Sequence, residues 1–245
     1  MKKARIRILA LLTMALVIMS AFAAQAATKK PVAPKKVYMN IFKSISPIDG
    51  SIMTNIGGEM FIKNLSKKAK VKMISGEESL YKIYNPVTKQ TYVAVNPKSI
   101  EFDITDPETG EVVGGGSEGE MLPAGTRKNI TFQIKQNKKT YELSTTLVWR
   151  YYPYPHKNIK IGGKKIANNF KKTGSFPTYT LGKNKHPKIT FSVKKGVLKG
   201  EVLILRGGKM LRYSKVKKLK KGDIIYLQFL EKHWEKYQGF EIPVV

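Results

Sequence analysis

The 245 residues contain no cysteine. That excludes a disulfide framework and any lipid attached through a thiol. Acid is scarce, with 17 Asp plus Glu against 45 Lys plus Arg and a formal net charge of +28. Outside the first 26 residues no run approaches 18 consecutive apolar residues, so no membrane-spanning helix is expected there. No segment holds a helical apolar period for three turns, which argues against a helical fold. No glycine-rich phosphate loop opens a helix, no internal repeat is visible, and none of the three histidines belongs to an H-E-x-x-H pattern.

The N-terminus has the form of a secretory leader. MKKARIR supplies Lys2, Lys3, Arg5 and Arg7, the apolar run ILALLTMALVIMSAFAA follows, and Ala24-Gln25-Ala26 is a small-residue cleavage site. Residues 1–26 are therefore expected to be removed, leaving a secreted chain with no transmembrane segment. A secreted chain of this size without cysteine points to a bacterium, one without an outer membrane. The expected location is extracellular or cell-wall associated. Leu122-Pro123-Ala124-Gly125-Thr126 resembles a sortase signal only in part, has its last two residues in the wrong order, and lies mid-chain.

With 42% hydrophobic and 25% charged residues, the composition is that of a globular protein. Residues 27–36, ATKKPVAPKK, read as an extended Lys/Pro-rich tether. From Val37 the pattern is β. Short runs rich in Ile, Val, Tyr, Phe and Thr are separated by NPVTKQ, NPKS, DPETGE, GGGSEGE, LPAGT and KQNKK. Residues 37–152 are expected to form an antiparallel immunoglobulin-like sandwich. In IEFDITD, Ile100, Phe102 and Ile104 alternate with Glu101, Asp103 and Thr105, which predicts one buried and one wet face.

RYYPYPHKN, at 150–158, reads as a joint, since Pro153 and Pro155 interrupt sheet pairing. Tyr151, Tyr152 and Tyr154 either pack into an interdomain seam or form an exposed aromatic platform. Residues 153–245 are expected to be a smaller basic β-sheet or barrel domain, making the protein all-β with two antiparallel β domains. Two hairpins, NIKI-GG-KKI and EVLILR-GG-KMLRYS, are marked by Gly-Gly pairs. The second sets Arg206 across from Lys209, an opposition of like charges that something must neutralise.

Charge is unevenly shared. Residues 155–245 carry 22 basic and 5 acidic side chains, against 19 and 12 in residues 27–154. Asymmetry of this kind marks a polyanion- or membrane-facing module. Its densest part is KVKKLKK, where Val216 and Leu219 are expected to clip an exposed loop onto the sheet. The rival reading is an edge strand guarded by lysine. The candidate polyanion-binding residues are Lys215, Lys217, Lys218, Lys220 and Lys221, with Arg206, Lys209 and Arg212 from the neighbouring hairpin. The basic half has 20 Lys and 2 Arg. Lysine is a mobile point charge, so charge matching without sequence readout is expected.

Catalytic candidates are poor. GGSEG, at 115–119, matches G-x-S-x-G, but EMLPAGT after it cannot be the required helix, and a flexible hairpin loop is expected instead. Glu231, His233 and Glu235 would share one face of a strand and suit a metal, though a solvated strand accounts for them as well. Asp103, Asp106 and Glu108 suggest a weak calcium site or an ordinary turn. No cofactor or metal is implied. The leading expectation is a non-enzymatic binder of an anionic cell-wall polymer or extracellular DNA. The alternatives are an extracellular inhibitor, chaperone or matrix component acting through the N-terminal sandwich, and a wall-modifying enzyme.

Overall fold

The computed structural model describes residues 29–86, 89–231 and 237–245. The leader, and His233 and Glu235 of the candidate metal-holding face, lie outside the described residues. The first unit contains β1 (Lys36–Ile45), β2 (Ile52–Met60), β3 (Lys70–Ser75), β4 (Ser79–Asn85), β5 (Gln90–Asn96), β6 (Ser99–Thr105), β7 (Val112–Gly119), β8 (Arg127–Gln136) and β9 (Lys139–Tyr151). Seven of these form a continuous sheet in the order β3-β8-β9-β1-β2-β5-β4. Lettered A to G in chain order without β6 and β7, this is C-F-G-A-B-E-D. Strand A thus lies between G of a CFG set and B of a BED set, the strand content of an immunoglobulin sandwich. The edge strands meet, with Lys82 Nζ on β4 donating to Ala69 O at 2.6 Å beside β3. The protein is all-β, and this unit is immunoglobulin-like. Within this unit the pairing of β1 with β9 departs from the antiparallel expectation, because the two strands run parallel.

Period-2 patterning explains the layers. Val37, Met39 and Ile41 of β1 point into the sandwich with Phe132, Ile134, Leu147 and Trp149. With no disulfide available, Trp149 and Phe132, both fully buried, fill the centre. β2 crosses between layers at a glycine pair, pairing with β1 through Gly57 and with β5 from Gly58 onward. A Cβ on Gly58 would stand 2.9 Å from both Met39 Sδ and Tyr38 O. Backbone cannot yield as a side chain tip does, so Gly58→Ala is expected to cost about 2–3 kcal/mol by overpacking. Urea unfolding measures this, and an unchanged midpoint would show that β1 moves freely.

Three expectations are corrected here. Residues 29–36 are not a free tether. Val32 exchanges backbone hydrogen bonds of 3.0 Å with Lys63, and Thr145 Oγ1 donates to Pro34 O at 2.7 Å. GGGSEG is not a loop: it is the body of strand β7, which pairs with β6. IEFDITD has no buried face, because Ile100, Phe102 and Ile104 are 42%, 45% and 51% exposed.

The second unit holds β10 (His156–Ile161), β11 (Lys164–Lys165), α1 (Phe170–Thr173), β12 (Ile189–Val193), β13 (Leu198–Arg206), β14 (Lys209–Arg212), β15 (Ile224–Leu230) and β16 (Gln238–Pro243). It folds as two small sheets, β11-β10-β12 and β14-β13-β15-β16, sharing one core. Both glycine-pair hairpins form, with Gly162, Gly163, Gly207 and Gly208 all at positive φ. The joint is a seam. Tyr152 stacks on Phe42 of β1 at 4.3 Å, and Tyr154 Oη donates to Lys43 O at 3.1 Å.

Candidate polyanion-binding surface

The lysine run is an exposed loop fixed at several points of its backbone. A 3-10 turn at Tyr213–Lys215 leaves β14. Val216 and Leu219 are then buried at 5% and 1% exposure while Lys215, Lys217, Lys218, Lys220 and Lys221 stay exposed. The apolar pair therefore clips the loop to the core as expected, and the lysines between face solvent. Leu219 N donates to Lys185 O at 2.7 Å, and Gly222 N to Val244 O at 2.9 Å. Ammonium groups on a fixed backbone pay less ordering entropy on meeting a ligand than those on a mobile tail.

Arg206 and Lys209 do face one another across the hairpin. The neutralising anion is internal. Asp223, 2% exposed, takes Arg206 Nε at 2.6 Å and Nη2 at 2.7 Å on its two oxygens. It also accepts the backbone N–H of Lys220 at 2.8 Å, and Arg206 Nη2 reaches Lys218 O at 2.9 Å. Arg206, a candidate polyanion-binding cation, is thus already paired and serves as the clamp that holds the loop. Arg212 is paired as well, to Glu201 at 3.0 Å. Among the described residues, Lys209 and the five loop lysines have no acid within 4.0 Å.

Three cations were missed in the sequence reading. Lys183, Lys185 and Lys188 lie exposed on the segment GKNKHPK. Besides the Lys185 bond, Tyr213 Oη donates to Pro187 O at 2.6 Å, and the His186 ring stacks on Tyr213 at 4.5 Å. Burial and the nearby Tyr179 push the Tyr213 phenol up to about 12, so it stays a donor at neutral pH. Lysine at every second or third position in KNKHPK hinted at a basic loop, but its position beside the lysine run is a tertiary fact.

The aromatic platform is corrected for Tyr152 and Tyr154, which are 4% and 7% exposed within the seam. Tyr152 donates to Glu231, and burial raises both phenols well above their ordinary range. Tyr151 is half-buried, edge-on to Phe170. The acidic turn uses Asp106 for itself: its Oδ1 accepts Glu108 N at 2.7 Å and Thr109 N at 3.2 Å. Among the described residues no three His, Asp or Glu side chains gather as for a metal.

The seam carries two buried titratable groups of opposite effect. Burial lowers His156 to about 4, so it is neutral, packed against Phe191, Phe229 and Phe240. Burial raises the Glu241 carboxyl to about 7, although it accepts Ile45 N at 2.6 Å. The folded state therefore retains the Glu241 proton as pH rises through 4.5, and that stabilisation is lost on the way to 7. Glu241→Gln keeps an acceptor for Ile45 without the charge. It is expected to stabilise the protein by about 2–3 kcal/mol at pH 8 and negligibly at pH 4.5. Urea titrations at the two pH values check this, and an equal difference at both would refute the protonation account.

No protein-family model and no curated protein matches the chain. Among solved structures, a three-domain immunoglobulin segment of titin, a Glu-to-Ala variant, is similar at 9% identity over 87% of this chain and 65% of that one. This chain therefore spans less than two thirds of its length, and at a TM-score of 0.21 the likeness carries no argument. The immunoglobulin-like description of the first unit rests on its strand order.

Proposed function

We propose that this is a secreted, non-enzymatic binding protein that associates electrostatically with anionic cell-surface polymers through its lysine-rich second unit. The observation that supports this reading is the fixed lysine loop, whose exposed ammonium groups have no acid partner within the described residues. A merely solvated surface needs no backbone clamp beneath it, whereas Arg206 and Asp223 hold this loop in one shape. Teichoic polymers are the favoured ligand class, because a secreted protein meets the wall first. Lysine without arginine forks suits a phosphate polymer read by charge alone. Cosedimentation with Gram-positive walls, with and without teichoic polymers and with DNA as competitor, tests it. Binding is expected to vanish when the polymers are removed. Binding that persists without them, or ignores salt, would sink the reading.

One observation favours a second reading, an extracellular protein-interaction module acting through the first unit. The β6–β7 ribbon stands outside the sandwich with side chains exposed on both strands.

A further inference from the structure

Residues 99–120 hold seven acids, Glu101, Asp103, Asp106, Glu108, Glu111, Glu118 and Glu120, and no Lys or Arg. They are 7 of the 17 acids of a strongly basic protein, and they fall on one projecting ribbon. Only Glu120 is paired, with Lys128 at 3.1 Å; among the described residues the other six have no cation within 4.0 Å. The ribbon is also apolar on one face. Glycines on β7 let the β6 side chains lie across it: Phe102 opposes Gly116 and Ile104 opposes Gly114. A Cβ on Gly116 would meet the Phe102 ring at 2.8 Å. With only two strands, each carries an outer edge of unpaired backbone groups, the usual seat for strand addition.

An exposed ribbon with Glu101 and Asp103 on one face, Ile100, Phe102 and Ile104 on the other beside Glu118, further acids in its turn, and open edges is a docking element suited to a basic partner. The same molecule offers that partner. β14 is the edge strand of its sheet, carries Lys209, exposed Met210 and Arg212, and runs straight into the lysine loop. We infer that the acidic β6–β7 ribbon of one molecule docks onto the lysine loop and β14 edge of a second copy. Because the two surfaces differ, a single contact leaves one ribbon and one loop free, and repetition ends in a reciprocal pair, a ring or an open chain. An anionic polymer would compete for the same lysines, so polymer binding and assembly oppose each other. The inference uses the lysine loop but does not depend on its affinity for any polymer.

The test is sedimentation of the protein at about 50 mM and about 500 mM salt, where screening lengths differ roughly threefold. At low salt the weight-average mass is expected to rise at least twofold with protein concentration up to about 100 μM, and to return to that of the monomer at high salt. Glu101→Lys with Asp103→Lys, and separately Lys217→Glu with Lys218→Glu, are each expected to be monomeric. A one-to-one mixture of the two variants should associate again, which also shows that both are folded. A parent that stays monomeric at low salt, a ribbon variant that associates like the parent, or a mixture that stays monomeric would each overturn the inference. The ribbon variant retains its lysine loop, so its polymer binding is read separately. A monomeric parent that binds polymer ends this inference alone, and ribbon-dependent assembly without polymer binding ends only the polymer reading.

Discussion

Replacing Asp223 with asparagine is expected to destabilise the second unit by about 3–5 kcal/mol, the usual consequence of removing one member of a buried ion pair. Asp223 is nearly inaccessible and satisfies three donors: Nε and Nη2 of Arg206 and the backbone N–H of Lys220. Asparagine keeps one acceptor, turns a donor toward the guanidinium and leaves Arg206 facing Lys209 with nothing between them. Arg206 is 31% exposed, so water recovers part of the loss and the lower end of the range is expected. The lysine loop should loosen first, because the pair fastens it at Lys218 and Lys220. Asp223→Asn raises the net charge by one. If charge count alone governed polymer binding, affinity would rise; if the fixed shape of the loop matters, it falls. Urea unfolding and polymer titration on the same variant decide. Replacing both partners with apolar residues, as Arg206→Met with Asp223→Leu, should cost less than Asp223→Asn alone, since no lone charge stays buried.

What was legible in the sequence was local. Alternation located the strands, Gly-Gly pairs located two hairpins, and the spacing of Val216 and Leu219 within five lysines showed that the run is clipped to a core. Alternation also misled. Period-2 patterning in IEFDITD reports that Ile100, Phe102 and Ile104 share a face, but not whether anything covers that face. Here nothing in the described chain does. The glycines of β7 read as a loop because glycine disfavours strands, yet cross-strand Phe102 and Ile104 lying over them supply the missing packing. The role of Asp223 was hidden because its partner lies 17 residues away. The lysines of GKNKHPK were visible as charge, but hydrogen bonds between segments distant in sequence set them beside the run. Residues 29–36 have the composition of a linker, and pairing to Lys63 and Thr145 decided otherwise.

The largest functional effect is expected from replacing Lys215, Lys217, Lys218, Lys220 and Lys221 together with glutamine. Each ammonium that neutralises a phosphate releases about 0.7–0.9 of a counterion, so five such contacts give a log–log salt slope of roughly −4. Over a fourfold rise in salt, from about 50 to 200 mM, parent affinity should then fall by about two to three powers of ten. The variant should bind at least about a hundredfold more weakly at low salt, with a slope reduced to that of the cations left, Lys183, Lys185, Lys188 and Lys209 among them. Its fold should persist, because Val216, Leu219 and the Arg206–Asp223 clamp are untouched and, among the described residues, none of the five ammonium groups has an acid partner to lose. Glutamine preserves length and polarity, so a change reports charge rather than shape. Equal affinity and slope in variant and parent would place the polymer contact elsewhere. The paired lysines at 164–165, 171–172 and 194–195 of the same unit are exposed and would be the next to replace. A fall in affinity with an unchanged slope would have another meaning: the loop would be contributing packing rather than charge, and the ligand would not be a polyanion.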